Sequence, residues 1–96
     1  MKTTKVLVTN KLGLHARPSA QLSQVATSFK CEVWLTRNER RINAKSIMGV
    51  MMLAASQGTE LLLEVDGVDE DLALEKLTDL FAGGFGESTE SADAGS

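Results

Sequence analysis

The sequence predicts a two-layer α+β domain, an open-faced sandwich in which three helices cover one face of a four-stranded antiparallel sheet. Three observations predict this fold class. The 96-residue chain is long enough for one hydrophobic core and too short for two. Its apolar residues alternate in some segments and recur every three or four positions in others, as in strands and helices. The connections are short, which favours antiparallel pairing and one helix layer, in the order β-α-β-β-α-β-α.

The first two elements are a strand and a helix. Residues 4–9 are rich in residue types that favour β-strands and lead into a turn that contains Gly13, which indicates a strand. A helix is predicted at or just after His15, because Pro18 is tolerated in a first turn, where its missing N–H costs nothing. Apolar residues then follow at helical spacing and form the predicted buried stripe: Pro18, Leu22, Val25, Ala26 and Phe29.

A hairpin and a short helix follow. Residues 31–36 alternate between apolar and polar, and the polar residues after them turn the chain into a third strand around residues 41–43. Ser46 precedes the apolar run 47–53, and a serine in that position can cap a helix. We expect Cys31, Trp34, Met52 and Leu53 to be packing residues.

The chain is predicted to end with a strand, a helix and a tail. Residues 60–65 form the fourth strand, and acidic side chains at 69–71 then favour the positive end of a last helix. The predicted buried stripe of that helix is Ala73, Leu77, Leu80 and Phe81. We expect an ordered domain over residues 1–86 and a flexible acidic tail over residues 87–96, which cannot bury enough apolar surface to order itself.

Charge is distributed unevenly along the chain. Residues 1–59 carry nine Lys/Arg and two acids, whereas residues 60–96 carry eleven acids and one Lys. The basic half contains His15 and favours a phosphate or an acidic partner surface. Nucleic acid is the weaker interpretation, because the chain has one Trp, no Tyr and no dense basic run. We therefore expect no nucleic-acid partner.

Other function classes are excluded by residue usage. No apolar run approaches the roughly 20 residues that cross a bilayer, and the N-terminus lacks the pattern of a secretory signal. The single cysteine cannot form an internal disulfide, and one His with one Cys cannot complete a zinc site. We expect a cytoplasmic protein with no membrane insertion, no metal and no cofactor.

The stretch KLGLHARP, residues 11–18, contains the only histidine and the only proline of the chain. A lone histidine before a helix is most often a surface residue or a cap. Here, however, the backbone amides of Ala16 and Arg17 would lie unpaired at the positive helix end beside the imidazole, and Arg17 adds a guanidinium that suits phosphate. These groups together predict a phosphorylated histidine. The positive surroundings favour a neutral, nucleophilic ring, and the sequence places no acid–base partner nearby.

Two motifs resemble a known family. The sequence GLHARP at residues 13–18 and the sequence KSIMGVM at residues 45–51, at this separation, resemble the histidine-containing phosphocarrier protein (HPr) of the bacterial phosphotransferase system. The resemblance covers residues 5–87. It implies that His15 accepts a phosphoryl group, usually on Nδ1, from enzyme I and passes it to a IIA-type acceptor, with Arg17 as phosphate partner. We expect a monomer that acts as a carrier in a relay rather than as a stand-alone catalyst.

The resemblance also implies a regulatory site and a docking face. Ser46 corresponds to a serine that HPr kinase/phosphorylase modifies in many relatives, although a plain helix cap explains the same residue. The implied docking face comprises Ala16, Ala20, Gln21, Ile47, Met48 and Met51. An exposed methionine-rich patch can adapt to several partners.

Alternatives to the sugar-branch carrier stay open. Leu12 resembles the residue in the nitrogen-branch protein (NPr) of the same system and in some proteobacterial carriers, whereas the motif that starts at Ser46 is typical of the general carrier. The chain could also act as a non-catalytic regulatory module that docks on a kinase or a transcription regulator. A third alternative is a small-ligand or RNA-binding domain that uses the basic half.

Overall fold

The computed structural model describes residues 1–87, in which strands and helices follow one another in the predicted order. The elements are β1 Lys2–Leu7, α1 Ala16–Thr27, β2 Glu32–Arg37, β3 Arg40–Asn43, α2 Ile47–Met52, β4 Glu60–Asp66 and α3 Glu70–Ala82, followed by a 3-10 turn at Gly84–Gly86. The predicted fold class is therefore confirmed. Most of the predicted acidic tail, residues 88–96, lies outside the described residues. Within residues 1–87, no helix is long and apolar enough to cross a bilayer.

The sheet has the strand order β1-β4-β2-β3, and every neighbouring pair is antiparallel. Residues on β4 alternate between the two faces, with Leu61, Leu63 and Val65 buried and Leu62 exposed. Such alternation is what a sheet with one covered face requires. β1 begins two residues earlier than predicted, because β4 extends far enough to pair Val65 with Lys2. Strand pairing, rather than local propensity, sets that boundary.

The core lies between the sheet and the helix layer. Leu35 and Leu63 face each other across β2 and β4 and are fully buried. Leu22 contributes from α1, and Phe81, among the largest fully buried side chains, contributes from α3. Each buried aliphatic or aromatic side chain of this kind contributes roughly 1.5–3 kcal/mol through removal of apolar surface from water.

The predicted packing residues divide into two groups. Leu53 and Cys31 are buried, and burial raises the pKa of the Cys31 thiol to about 11. Met52, however, is 59% exposed, because the short helix α2 and its C-cap direct Val50 and Leu53 inward and leave Met52 outside. Trp34 lies half-buried on the uncovered sheet face, where the guanidinium carbon of Arg41 is 4.2 Å from the centre of its ring.

Asp69, the N-cap residue of α3, has a role in addition to the one predicted. Its carboxylate makes no capping hydrogen bond to α3 and instead accepts from the backbone N–H groups of Lys30 (2.8 Å) and Cys31 (2.9 Å). These backbone hydrogen bonds lower the pKa of Asp69. Glu70 and Asp71 occupy the first turn of α3, where the helix dipole favours negative charge. Asp69 therefore ties the start of α3 to the start of β2.

Candidate functional site

α1 begins directly after His15, as predicted. His15 itself is extended (φ −79°, ψ −169°), and its carbonyl accepts the N–H of Ser19 at 3.0 Å. Ala16 and Arg17 precede this first intrahelical bond, so their N–H groups point out of the positive helix end. Pro18 is buried in the same turn and has no N–H. This arrangement can receive an anion beside the imidazole.

A network of hydrogen bonds fixes the loop that carries His15. Gly13 adopts φ 71°, and its carbonyl accepts the N–H of His15 at 3.0 Å. The N–H of Leu14 donates to the carbonyl of Ala55 at 2.8 Å, which fastens the loop to the connection between α2 and β4. The side-chain amide of Asn10 donates to the Gly13 carbonyl at 2.7 Å. Local sequence alone could not have indicated the contact with Ala55.

The site is shallow. The His15 side chain is 37% exposed, and Arg17 is exposed beside it. The guanidinium of Arg17 is close enough to contribute to lowering the pKa of Glu87. A partly exposed imidazole with an exposed cation next to it suits transient rather than tight binding of an anion.

Glu87 is a contact of His15 that sequence analysis missed. Its carboxylate Oε1 lies 3.0 Å from His15 Nε2 and also accepts from Asn10 Nδ2 at 3.1 Å. The hydrogen bond from His15 is the main cause of a lowered pKa for Glu87. The expectation that no acid–base partner lies near His15 is therefore wrong. The two residues are 72 positions apart in sequence, so no spacing pattern links them.

The end of α3 brings Glu87 to His15. Phe85 is buried and packs edge to face on Phe81, with ring centroids 5.0 Å apart. Gly84 (φ 63°), Phe85 (φ 57°) and Gly86 (φ 75°) form a left-handed turn after α3. A bulky residue with positive φ is unusual, and the Phe81 contact holds it there. Phe85 is apolar and lies just before the predicted tail, and this feature of the sequence could have indicated that order extends to Glu87.

Ser46 caps α2, as predicted. Its hydroxyl oxygen accepts the N–H of Gly49 at 3.1 Å, and the residue is exposed. α2 packs beside α1, since the Ser23 hydroxyl of α1 donates to the carbonyl of Lys45 at 2.6 Å. A capping hydroxyl that is also exposed remains accessible to chemical modification.

The predicted docking residues lie on these two neighbouring helices. Ile47, Met48 and Met51 are 44%, 69% and 39% exposed. On α1, Ala16 is exposed, whereas Ala20 and Gln21 are half-buried. Leu12 (71%) and Met52 (59%) are among the exposed apolar residues that were not predicted as docking residues.

Comparison with known proteins gives consistent matches along the chain. The family model described as "PTS HPr component phosphorylation site" matches residues 2–83. Phosphocarrier protein HPr of Neisseria meningitidis serogroup A is 55% identical over 87 residues, which span 91% of this chain and 98% of that protein. The crystal structure of HPr-C-His from Thermoanaerobacter tengcongensis matches with a TM-score of 0.88 and 43% identity, covering 92% of this chain and 99% of that chain.

A further solved relative bears on the assembly state. Crh, the catabolite repression containing protein of Bacillus subtilis, has a crystal structure with a TM-score of 0.71 and 46% identity, covering 88% of this chain and 97% of that chain. It was solved as a dimer with a swapped domain. Because a relative this similar is dimeric, the monomeric state expected for this chain stays a prediction. The matched family model, the relatives and the fold agree, and the chain belongs to the HPr family of phosphocarriers of the bacterial phosphotransferase system.

Proposed function

We propose that His15 accepts a phosphoryl group from enzyme I and passes it to a IIA-type acceptor. The observation that carries this proposal is the position of His15 at the opening of α1, beside the outward-pointing amides of Ala16 and Arg17. The imidazole is also accessible, with 37% of its side chain exposed. A partner can therefore bring a phosphoryl group to the ring without a change in the fold.

Each group of the site would have a separate task in the transfer. A lone pair of the His15 ring forms the new P–N bond while the bond from phosphorus to the donor nitrogen breaks. The amides of Ala16 and Arg17 and the Arg17 guanidinium receive the charge on the phosphoryl oxygens. Each charge-assisted hydrogen bond contributes about 1.5–3 kcal/mol before solvent screening. The exposure of the site limits the total, which keeps onward transfer fast.

The docking face is the second part of the proposal. Ile47, Met48 and Met51 place exposed apolar surface on α2, next to the α1 residues Ala16 and Ala20. Methionine side chains are flexible and polarisable, so one surface can fit several partners. Gln21 would supply a polar contact at the same face. Enzyme I and the IIA-type acceptor would bind this surface in turn.

A phosphorylation assay tests the role of His15. The full chain is incubated with phosphoenolpyruvate and enzyme I, and mass spectrometry is expected to show one acid-labile, base-stable phosphoryl adduct. His15→Ala should abolish the adduct. Arg17→Ala should slow labelling at least about tenfold through loss of charge stabilisation. Lys11→Ala, which removes an exposed cation from the same loop, should label at nearly the wild-type rate.

Two results would exclude the proposal. One is an unlabelled wild-type chain under conditions in which the Neisseria relative is labelled. The other is an adduct that survives His15→Ala, because the phosphoryl group would then be on another residue.

We further propose that phosphorylation of Ser46 by an HPr kinase/phosphorylase regulates the docking face. The phosphate would stay at the start of α2, directly before Ile47, and would add about −1.5 to −2 charges there. The added negative charge would then repel acidic partner surfaces, which the basic residues of positions 1–59 otherwise attract. The exposure of Ser46 supports the access that a kinase needs.

Substitutions at Ser46 distinguish its helix-capping role from the effect of a negative charge at that position. Ser46→Asp keeps a good cap, so the melting temperature should be almost unchanged, while the affinity for enzyme I should fall about tenfold. Ser46→Ala loses the cap and about 1 kcal/mol of stability but should be labelled normally. Val68→Asp, in the exposed loop between β4 and α3, is the control for one added charge. Equal affinities for Ser46→Asp and the wild-type chain would contradict the regulatory proposal.

A further inference from the structure

The contact between His15 and Glu87 involves a specific nitrogen of the ring. Glu87 Oε1 lies 3.0 Å from His15 Nε2, and the Glu87 side chain is only 16% exposed. A carboxylate oxygen accepts hydrogen bonds and cannot donate them, so the proton in this contact is on Nε2. In a neutral imidazole the other nitrogen, Nδ1, then carries the lone pair.

The geometry points to Glu87 as a positioning residue that holds the His15 proton on Nε2 and so presents the Nδ1 lone pair to the incoming phosphoryl group. This inference rests on the proposed function of His15. During transfer the Nδ1–P bond forms, the donor P–N bond breaks and the proton stays on Nε2. The phosphorylated ring carries positive charge, which the adjacent carboxylate of Glu87 then balances.

Asn10 supports the same arrangement through hydrogen bonds to the loop and to Glu87. Its side chain is fully buried, and Nδ2 donates both to Gly13 O at 2.7 Å and to Glu87 Oε1 at 3.1 Å. In the described part of the chain its Oδ1 is buried without a hydrogen-bond partner. An unsatisfied buried acceptor is unfavourable, so the two hydrogen bonds that the NH₂ group donates best account for a buried asparagine at this position. Asn10 thus links the loop of His15 to the carboxylate that orients the ring.

NMR can test this inference directly, because His15 is the only histidine in the chain. Long-range proton–nitrogen spectra of the full ¹⁵N-labelled chain, recorded with the ring neutral, should show a protonated Nε2 and an unprotonated Nδ1. In Glu87→Ala the shifts of the two nitrogens should move toward each other as the second tautomer becomes populated. Glu75→Ala, which removes one exposed carboxylate from α3, should leave both shifts unchanged.

Kinetics provide the second measurement. Glu87→Ala is expected to lower kcat for phosphorylation by enzyme I about tenfold with KM little changed, similar to the loss when the carboxylate partner of a metal-bound histidine is removed. Glu87→Gln keeps an acceptor oxygen and should recover much of both the shift pattern and the rate. Unchanged nitrogen shifts and rate in Glu87→Ala would overturn the inference. Faster labelling would also overturn it, because the carboxylate would then obstruct the ring.

The two proposals fail in different ways. If the wild-type chain is not labelled at all, the proposed function fails even though the nitrogen shifts still report the Glu87 contact. If labelling on His15 is normal and the nitrogen shifts are the same in Glu87→Ala as in the wild-type chain, only the positioning role of Glu87 is excluded.

Discussion

Phe81→Ala is expected to lower the free energy of unfolding by about 3–5 kcal/mol. Phe81 is 1% exposed and packs edge to face on Phe85, so alanine would leave a large cavity in the core. The backbone carbonyl of residue 81 also accepts the Thr9 hydroxyl at 2.9 Å, a bond that the substitution keeps. Urea unfolding followed by the fluorescence of Trp34, the single tryptophan, measures the change.

A matched variant identifies the cause of that loss. Leu72→Ala removes an apolar side chain from the same helix, but Leu72 is 51% exposed. Its cost should therefore stay below about 1 kcal/mol. Similar losses for the two variants would mean that packing around Phe81 does not dominate the stability of this region.

Gly13→Ala is expected to lower the free energy of unfolding by about 3 kcal/mol and to slow phosphorylation of His15. Gly13 has φ 71°, and a Cβ atom there would lie 2.5 Å from the carbonyl oxygen of Ala55. That oxygen accepts the N–H of Leu14, so the clash would displace the loop that leads into His15. Unfolding measurements and the enzyme I assay report the two effects separately.

Gly58→Ala separates backbone strain from the clash. Gly58 also has positive φ (90°), but nothing lies within 4 Å of a Cβ atom at that position. The variant should therefore lose only about 1 kcal/mol through strain and should be labelled normally. If Gly13→Ala and Gly58→Ala behaved alike, close contact with residue 55 would not be what requires glycine in the loop.

The fold could be predicted where local patterns and tertiary structure agree. The helix that begins at Ala16 and the cap at Ser46 follow from single residues whose backbone chemistry allows few alternatives. Alternating apolar residues located β2, and β-favouring composition with turn residues located the other strands, although the start of β1 depends on its partner strand. Met52 was misplaced because a six-residue helix surrounded by apolar residues shows no clear buried face in its sequence.

The candidate site could be predicted only in its local part. His15, Arg17 and the first helical amides are neighbours in sequence, so the anion-binding arrangement follows from where α1 begins. Glu87 reaches the imidazole only after α3 packs on the sheet and Phe85 packs on Phe81. A contact of that kind depends on the whole fold, and periodicity and motif spacing contain no information about it.

The 3-10 turn after α3 places Glu87, the last residue of the described chain, against His15. Turns at the end of a terminal helix open far more often than core strands, with free energies well below that of global unfolding. Each such opening breaks the hydrogen bond between His15 and Glu87. If Glu87 orients the ring as we propose, this local opening would set the fraction of molecules with an oriented imidazole, and a protein that holds Phe85 in place would change that fraction without touching the ring.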